Sequence, residues 1–329
     1  MRAVVVTSFG GPKVLRVEER DIPSPGPDQV SIDVAYAGVN FAEVTMRRGE
    51  LPNVTAPVVP GLEVSGIVRE VGSDVTDVVV GDPVCAFTIA GGYAEVAVAP
   101  ARSTHRLPDA DDATLRRGAT LPTVVPTAWA LINEVARLRP DEDVLVVAAA
   151  GGIGTIAGQL ARHAGARKVF GIVSTPEKAT YAKRFGYDDV FLESEWRARL
   201  DVATGARGVD VVLDSVGGEF RAEAIEVVAP MGRLVMFGNA SGAPEVSPPA
   251  GVMRAQCNAA VGFSITGLTR LDPGRARRVT ENALRIATEK DLRIDITEVL
   301  PLADAWRAHE ALEARRTTGK LVLSVSGHS

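Results

Sequence analysis

The sequence predicts an α/β protein with two domains, one rich in short β-strands and one built on a doubly wound parallel sheet. The chain has 329 residues, a length typical of two domains. Roughly the first 120 residues alternate short apolar segments with glycine and proline. From residue 144 onward, apolar strand patterns alternate with helical patterns, as in a parallel sheet covered by helices.

Turn residues and alternating apolar positions predict the β-rich domain. Residues 30–34 (VSIDV) alternate apolar and polar side chains, as a half-buried strand does. Glycine and proline cluster at 10–12, 23–27 and 81–83, which predicts turns between strands. Between residues 61 and 72, glycines alternate with β-branched residues, which predicts the sharply bent strands of a small barrel.

The second domain is predicted from longer apolar strands, each followed by a helical pattern. We expect strands at 144–148, 168–173, 209–213, 232–237 and 259–262. We expect helices at 152–164, from Thr175-Pro176 onward, and at 273–290. The last apolar segment, 321–325, is expected to be a strand that returns to the first domain.

Charge and cysteine content exclude several classes of function. The formal net charge of −5 gives no basic footprint for nucleic acid, and the arginines of residues 275–278 are expected on a solvated helix face. Cys85 and Cys257 are too few for a disulfide framework or a four-thiolate zinc site, and predict reduced thiols in a cytoplasmic protein. The uncharged residues 144–161 approach a membrane-spanning length, but their glycines and charged flanks favour a buried strand and helix.

The strongest motif is the glycine loop AAAGGIG at residues 148–154. It follows a predicted strand and opens a predicted helix, where small residues let the backbone approach a pyrophosphate and free N–H groups face it. A tight strand-to-helix turn without a ligand is the alternative. The loop residues expected to hold the pyrophosphate are Ala150, Gly151, Gly152, Ile153 and Gly154.

The end of the second predicted strand favours NADPH over NADH. NAD-binding proteins place an acid there for the ribose 2′-hydroxyl, whereas residues 172–175 (IVST) contain none, and Glu177 lies on the helix. Ser174 can donate a hydrogen bond to a 2′-phosphate, and Lys178 can supply charge or be a solvated helix lysine.

The chain resembles the zinc-independent, zeta-crystallin-like quinone oxidoreductases of the medium-chain dehydrogenase/reductase superfamily over nearly its whole length. The motifs that carry this resemblance are MRAVV at 1–5, PGPDQV at 25–30, GVNF at 38–41, PGLE at 60–63, GYAE at 92–95, PTAW at 126–129, DSVGG at 214–218, GRLV at 232–235 and GKLVL at 319–323. It implies a GroES-like partial β-barrel catalytic domain at 1–121 and 290–329, with a Rossmann dinucleotide-binding domain at 122–289 inserted into it. It also implies a homodimer joined through sheet edges, and a substrate that enters between the domains.

The resemblance further implies roles for single residues. Asn40 would line the active site beside the nicotinamide, and Thr127, at a helix start, would contact the cofactor or serve as a plain N-cap. The glycine loop, Ser174 and Lys178 would take the roles already described. The residues implied along the adenosine and nicotinamide ends are Val216, Phe237, Gly238 and Asn239.

A zinc mechanism is not expected, because Asn40 and Leu62 stand where zinc alcohol dehydrogenases have cysteine and histidine. A hydride must then pass to an acceptor that is already electrophilic, with a hydrogen-bond donor for the developing oxyanion. The candidates are the Asn40 amide, which could instead be a structural cap, and Thr45. This segment lacks the tyrosines frequent in the family, and Arg47 and Arg48 could attract an anionic substrate or be solvated.

Three functions stay open on the sequence. The first is NADPH-dependent hydride transfer to a quinone, and the second is reduction of an α,β-unsaturated carbonyl, which is an activated alkene. The third is a non-catalytic NADPH-binding or RNA-binding protein. Because the first two need the same cofactor geometry, the motifs do not separate them.

Overall fold

The computed structural model describes residues 1–325, which form two compact units. The first unit comprises Met1–Val124 together with the described residues from Ile294 onward, and the second comprises Val125–Arg293. Within the described part of the chain, no helix is long and apolar enough to cross a membrane.

The strands are numbered in chain order. They are β1 (Arg2–Val6), β2 (Leu15–Glu19), β3 (Gln29–Val39), β4 (Glu63–Val71), β5 (Pro83–Phe87), β6 (Val96–Pro100), β7 (Thr104–Arg106), β8 (Asp143–Val147), β9 (Lys168–Val173), β10 (Asp189–Leu192), β11 (Val209–Asp214), β12 (Val228–Met236), β13 (Ala259–Gly262), β14 (Ile296–Pro301) and β15 (Lys320–Ser324).

The α-helices are numbered in the same way, and short 3₁₀ turns lie between several elements. The helices are α1 (Phe41–Arg48), α2 (Asp112–Gly118), α3 (Val124–Ala130), α4 (Gly152–His163), α5 (Pro176–Ala182), α6 (Trp196–Thr204), α7 (Gly218–Ala224), α8 (Ala250–Gln256), α9 (Ile265–Leu271), α10 (Pro273–Glu289) and α11 (Ala305–Glu313).

The first unit is built on a seven-stranded sheet that the last strand of the described residues completes. Its order is β14-β15-β3-β4-β5-β7, with β6 also paired to β3. Strand β15 lies antiparallel to β3, so the prediction that the C-terminal strand returns to the first domain is confirmed. Its buried side chains, Leu321 and Leu323, join a core with Ile32 and Val64.

Strand β3 is longer than the alternating pattern predicts. It runs over eleven residues, and nearly all of them are buried. Because β4 lies on one side of it and β6 and β15 on the other, the strand is central in its sheet. Alternation therefore marks only its first part, residues 30–34, whereas the continuation at 35–39 (AYAGV) is buried throughout.

The second unit is a six-stranded parallel sheet with helices between its strands. Its order, β10-β9-β8-β11-β12-β13, corresponds to 3-2-1-4-5-6 in chain order, which is the order of dinucleotide-binding sheets. The predicted doubly wound parallel sheet is therefore confirmed. All five residues of β8 are buried, as expected for a strand covered on both faces.

Strand β12 begins four residues before the predicted start at Gly232. The segment Ala229-Pro230-Met231-Gly232 resembles a turn in sequence, but it forms an irregular part of the strand in which Met231 has a φ of +66°. The pairing with β11 shifts register there, between Val209 and Val211. A bulge thus accommodates residues that favour a turn.

We predict that Gly66→Ala destabilises the first unit, because a Cβ at Gly66 would lie 2.0 Å from the backbone oxygen of Asp33. The β3–β4 ladder shifts register beside this contact, so the two backbones must approach closely. We expect a loss of about 1–3 kcal/mol in the free energy of unfolding, measured by urea denaturation. The control is Gly11→Ala, whose Cβ would meet no atom within 4 Å. Equal stability of the two variants would contradict the prediction.

Candidate functional site

The glycine loop lies between β8 and α4, where the sequence predicts it. The chain leaves β8 at Val147, turns at Ala148 with a φ of +55°, and enters α4 at Gly152. Gly151 caps this helix and has no side chain to bond the N–H groups of its first turn. These N–H groups and the positive end of the helix dipole fit an anionic group such as a pyrophosphate.

The loop packs closely against the helix that it opens. A Cβ at Gly154 would lie 2.5 Å from the Ala148 oxygen, so only glycine allows this approach. Below the loop, the buried hydroxyl of Tyr187 donates a 2.6 Å hydrogen bond to the Gly154 oxygen. Sequence reasoning missed Tyr187. The available signal was the pair Gly158 and Gly171, because a Cβ at either would press against its ring.

The end of β9 carries no carboxylate. Ser174 is half-buried directly after the strand, and Thr175 caps α5 by accepting a hydrogen bond from the Lys178 N–H. This places Lys178 in the first turn of the helix. Glu177 is exposed, and its hydrogen bond with the Thr175 side chain holds the pKa of its carboxyl below the usual value.

The loops after β11 and β12 are joined to each other by their backbones. Ala240 donates to the Ser215 oxygen at 3.0 Å, and Ser241 donates to the Val216 oxygen at 2.9 Å. Because all strands of this sheet are parallel, these loops, the glycine loop and Ser174 lie at the same edge. The second unit thus brings together the predicted residues 150–154, Ser174, Lys178, Val216 and 237–239.

Thr127 does not start a helix. It is the fourth residue of α3 and is buried, so the expectation that it is an N-cap is wrong. Residues 124–126 (VVP) form the first turn of the helix instead. Proline is tolerated in this turn, where a backbone N–H has no partner within the helix.

In the first unit, Asn40 belongs to a buried polar cluster that we call the Lys320 cluster: Asn40, Glu43, Glu63 and Lys320. The Lys320 ammonium is buried and donates to Asn40 Oδ1 at 2.7 Å, Glu63 Oε1 at 2.7 Å and the Val39 oxygen at 2.9 Å. The Asn40 amide donates to Glu63 Oε1 at 3.0 Å and, more weakly, to Glu43 Oε1 at 3.4 Å. The amide orientation is therefore fixed by its partners.

Glu43 and Glu63 are both fully buried, but among the described residues only Glu63 forms an ion pair with Lys320. Glu43 accepts hydrogen bonds from the backbone N–H groups of Asn40 and Leu62, both at 2.9 Å. Burial raises the pKa of Glu43 to about 7, and the charge on Glu63 adds to the rise. The Leu62 N–H and the charge of Lys320 oppose this rise in pKa. Sequence reasoning missed the cluster, because Lys320 is 257 residues from Glu63 along the chain.

Thr45 and the two arginines of α1 are all engaged. The Thr45 hydroxyl donates to the Phe41 oxygen at 3.1 Å within the helix. Arg47 is completely buried, bonds the Gly10 oxygen at 2.9 Å and pairs with Glu313, and Arg48 also bonds Glu313. The expectation that Arg47 attracts substrate or is solvated is therefore wrong, because its side chain is fully buried, and both arginines anchor α1 to α11.

The two cysteines and a buried histidine offer little to a metal. Burial raises the pKa of Cys85 to about 12, and Cys257 is exposed and far along the chain. Burial, with Arg47 nearby, lowers the pKa of His309 to about 3. Among residues 1–325, no three His, Cys, Asp or Glu side chains are grouped as a metal site would require.

We predict that Glu43 makes stability fall as pH rises from about 4.5 to 7. In this range the folded protein keeps a proton that the unfolded chain releases, because the pKa of Glu43 is about 7 in the fold against 4.5 normally. The effect amounts to roughly 3 kcal/mol in the free energy of unfolding. Glu43→Gln should flatten this slope in denaturation series across pH, whereas exposed Glu70→Gln should retain it. Parallel slopes for wild type and Glu43→Gln would refute the assignment.

Comparison with known proteins agrees with this architecture. Residues 26–109 match the alcohol dehydrogenase GroES-like domain, and residues 152–282 match the zinc-binding dehydrogenase family. With the parallel sheet, these matches confirm the predicted fold class, a GroES-like partial β-barrel plus a Rossmann sheet.

Relatives that match over their full length identify the family within this superfamily more closely. The chain is 34% identical to a quinone oxidoreductase of Pseudomonas aeruginosa, covering 98% of this chain and 99% of the relative. It is 31% identical to the quinone oxidoreductase of Rattus norvegicus, covering 98% and 97%. The Escherichia coli quinone oxidoreductase, solved in complex with NADPH, is 30% identical and superposes with a TM-score of 0.91 over 99% of this chain and 100% of that one. This chain belongs to the quinone oxidoreductase family of the medium-chain dehydrogenase/reductase superfamily.

Proposed function

We propose that this protein is an NADPH-dependent oxidoreductase that transfers a hydride to a quinone without zinc. The observation that carries the proposal lies at the carboxyl edge of the six-stranded sheet. There, a helix start whose N–H groups bond no capping side chain lies beside the end of β9, which has no acid. Reduced nicotinamide supplies the hydride when the cofactor is bound. Family relatives named quinone oxidoreductases, one of them solved with NADPH, support the same function.

The residues at that edge suit a dinucleotide. The first turn of α4 offers N–H groups to a pyrophosphate, and the glycine at 154 keeps helix and loop in close contact. We assign the pyrophosphate to residues 150–154, and the remaining length of the cofactor to Val216 and residues 237–239. Thr127 is proposed as a further cofactor contact, through a side chain inside α3 rather than as a cap.

Ser174 and Lys178 are proposed to hold the 2′-phosphate. Ser174 directly follows β9, where an NAD-binding protein would place an acid against a free ribose hydroxyl. Lys178 brings positive charge in the first turn of α5. The exposed Glu177 is bonded to Thr175, on the helix and not at the strand end.

The donor chemistry around Asn40 supports the absence of zinc. Asn40 offers a neutral amide oxygen that already accepts from an ammonium, and Leu62 offers an alkyl chain. Neither is a zinc ligand comparable to thiolate or imidazole. Glu63, whose carboxylate is bonded to Asn40, forms an ion pair with Lys320 at 2.7 Å.

Asn40 and Thr45 are the proposed substrate-side residues of the catalytic domain. The weaker of the two Asn40 N–H bonds, at 3.4 Å to Glu43, is the one that a developing oxyanion can replace most easily. Thr45 can accept a hydrogen bond at its hydroxyl oxygen while donating to Phe41. We place this GroES-like catalytic domain at 1–121 and 290–329, and the Rossmann domain at 122–289.

We further propose a cytoplasmic homodimer. Two free thiols fit a reducing compartment. The half-exposed strand β13 ends the six-stranded sheet and offers an edge at which a second copy can pair. Light scattering of the purified protein measures the oligomeric state directly.

We predict that Ser174→Asp weakens NADPH binding at least tenfold, about 1.4 kcal/mol, and changes NADH binding much less. The new carboxylate would repel the 2′-phosphate but could accept from the 2′-hydroxyl of NADH. Fluorescence titration with both dinucleotides measures the ratio. The control, Ser174→Ala, removes one donor without adding charge, so its NADPH affinity should fall only about twofold. An unchanged NADPH-to-NADH ratio in the aspartate variant would place the phosphate elsewhere.

We predict NADPH oxidation in the presence of a simple quinone such as 1,4-benzoquinone, with no loss after prolonged treatment with a strong zinc chelator. The rate with an enone or enoyl thioester should be lower, since the chain belongs to a family named for quinone reduction. Absorbance at the reduced-nicotinamide band follows each reaction. Turnover of the alkene alone, or inactivation by the chelator, would overturn the corresponding part of the proposal.

A further inference from the structure

We infer that Arg221 is a positioning residue that sets the distance between the two cofactor loops of the second unit. These loops are residues 215–217, after β11, and residues 237–241, after β12. The role rests on the proposed NADPH function, because both loops are assigned to the cofactor there.

Arg221 lies on α7, and its guanidinium is buried, with 3% of the side chain exposed. Its Nε donates to Asp214 Oδ2 at 2.7 Å, at the end of β11. One terminal nitrogen donates to the Gly238 oxygen at 2.5 Å, and the other to Glu245 Oε2 at 2.6 Å. One rigid, planar group therefore spans the end of one strand and the loop that follows the next.

Asp214 extends this connection into the first loop. Its carboxylate is fully buried, and Oδ1 accepts hydrogen bonds from the backbone N–H groups of Val216 at 2.8 Å and Gly217 at 3.0 Å. The other oxygen takes the arginine. Besides the two backbone hydrogen bonds that join the loops directly, this ion pair links the start of one cofactor loop to Gly238 in the other.

The two loops are in close contact, so a change in the distance between them would displace the residues proposed to bind the cofactor. Gly217 has a φ of +73°, and a Cβ there would lie 2.1 Å from Asn239 Oδ1. The Asn239 amide in turn donates to the Ala243 oxygen at 2.8 Å. A small displacement of Gly238 would therefore move Asn239 and Val216, both proposed to contact the cofactor, relative to each other.

A second arginine–aspartate pair on the same strand provides the comparison. Arg207 pairs with Asp210 at 2.6 Å near the start of β11, the edge opposite the proposed cofactor residues. Its side chain is 46% exposed, and it bonds neither cofactor loop in the described residues. Arg207→Lys therefore controls for the general effect of exchanging a paired arginine in this unit.

The test compares wild type, Arg221→Lys and Arg207→Lys by fluorescence titration with NADPH and NADH, without substrate. Lysine keeps a positive charge beside Asp214, but its one nitrogen cannot replace the three guanidinium nitrogens, each of which bonds a different partner in its own direction. We expect the Kd of Arg221→Lys to rise about tenfold for both dinucleotides, because the loops do not bind the 2′-phosphate. We expect Arg207→Lys to bind like wild type. In turnover, the KM for NADPH should rise with the Kd, while kcat at saturating NADPH changes less than twofold.

Thermal unfolding of each variant separates binding from folding. Should Arg221→Lys fail to fold, Glu245→Gln removes only the outermost contact, made by a side chain that is 67% exposed, and should raise both Kd values two- to threefold. Wild-type affinity in the folded variant tested would overturn the positioning role. A wild-type protein that binds neither dinucleotide would overturn the proposed function itself. A loss confined to NADPH would also refute the role, since it would point to the 2′-phosphate instead.

Discussion

The buried ammonium of Lys320 is the interaction on which the first unit depends. Its three donors are all satisfied, by Glu63, Asn40 and the Val39 carbonyl, and these partners come from two strands and the start of a helix. Removing one partner of such a pair leaves a buried charge uncompensated, at a cost of about 3–5 kcal/mol. Because Lys320 begins β15, the pairing of this strand with β3 also brings a cation to Glu63. Strand β15 therefore contributes both to the sheet and to the orientation of Asn40.

The second unit positions its proposed binding residues differently. At the glycine loop, the backbone itself fixes the shape of the turn. Ala148 has a positive φ, and the surroundings of Gly154 leave no room for a Cβ. At the loops after β11 and β12, a buried ion pair adds to the two backbone hydrogen bonds that join the loops beyond the strand ladder. Backbone geometry shapes the anion-binding turn, whereas charge aligns the longer loops.

Local sequence patterns predicted most of the fold. They failed where contacts between residues far apart in the chain determine the structure. Strand β9 and strand β13 have the predicted bounds, because each is a short apolar segment between clear turn residues. The start of β12 was wrong because a bulge overrode its turn-like sequence. The glycine loop was predictable since its seven residues are contiguous, whereas the Lys320 cluster joins segments hundreds of residues apart. Arg47 was misjudged for the same reason, because its partner Glu313 lies on α11.

The hydrogen bonds around Asn40 bear on which acceptor suits the proposed reaction. Both N–H groups of the amide face carboxylates, and the Thr45 hydroxyl hydrogen faces its own helix, so these side chains offer limited stabilisation to a localised oxyanion. A quinone makes a small demand of this kind, because hydride addition yields an aromatic ring over which the negative charge spreads. An isolated carbonyl concentrates the charge on one oxygen and would need a stronger donor or a metal. The same Lys320 contacts that fix Asn40 thus favour an acceptor whose own electronic structure stabilises the product.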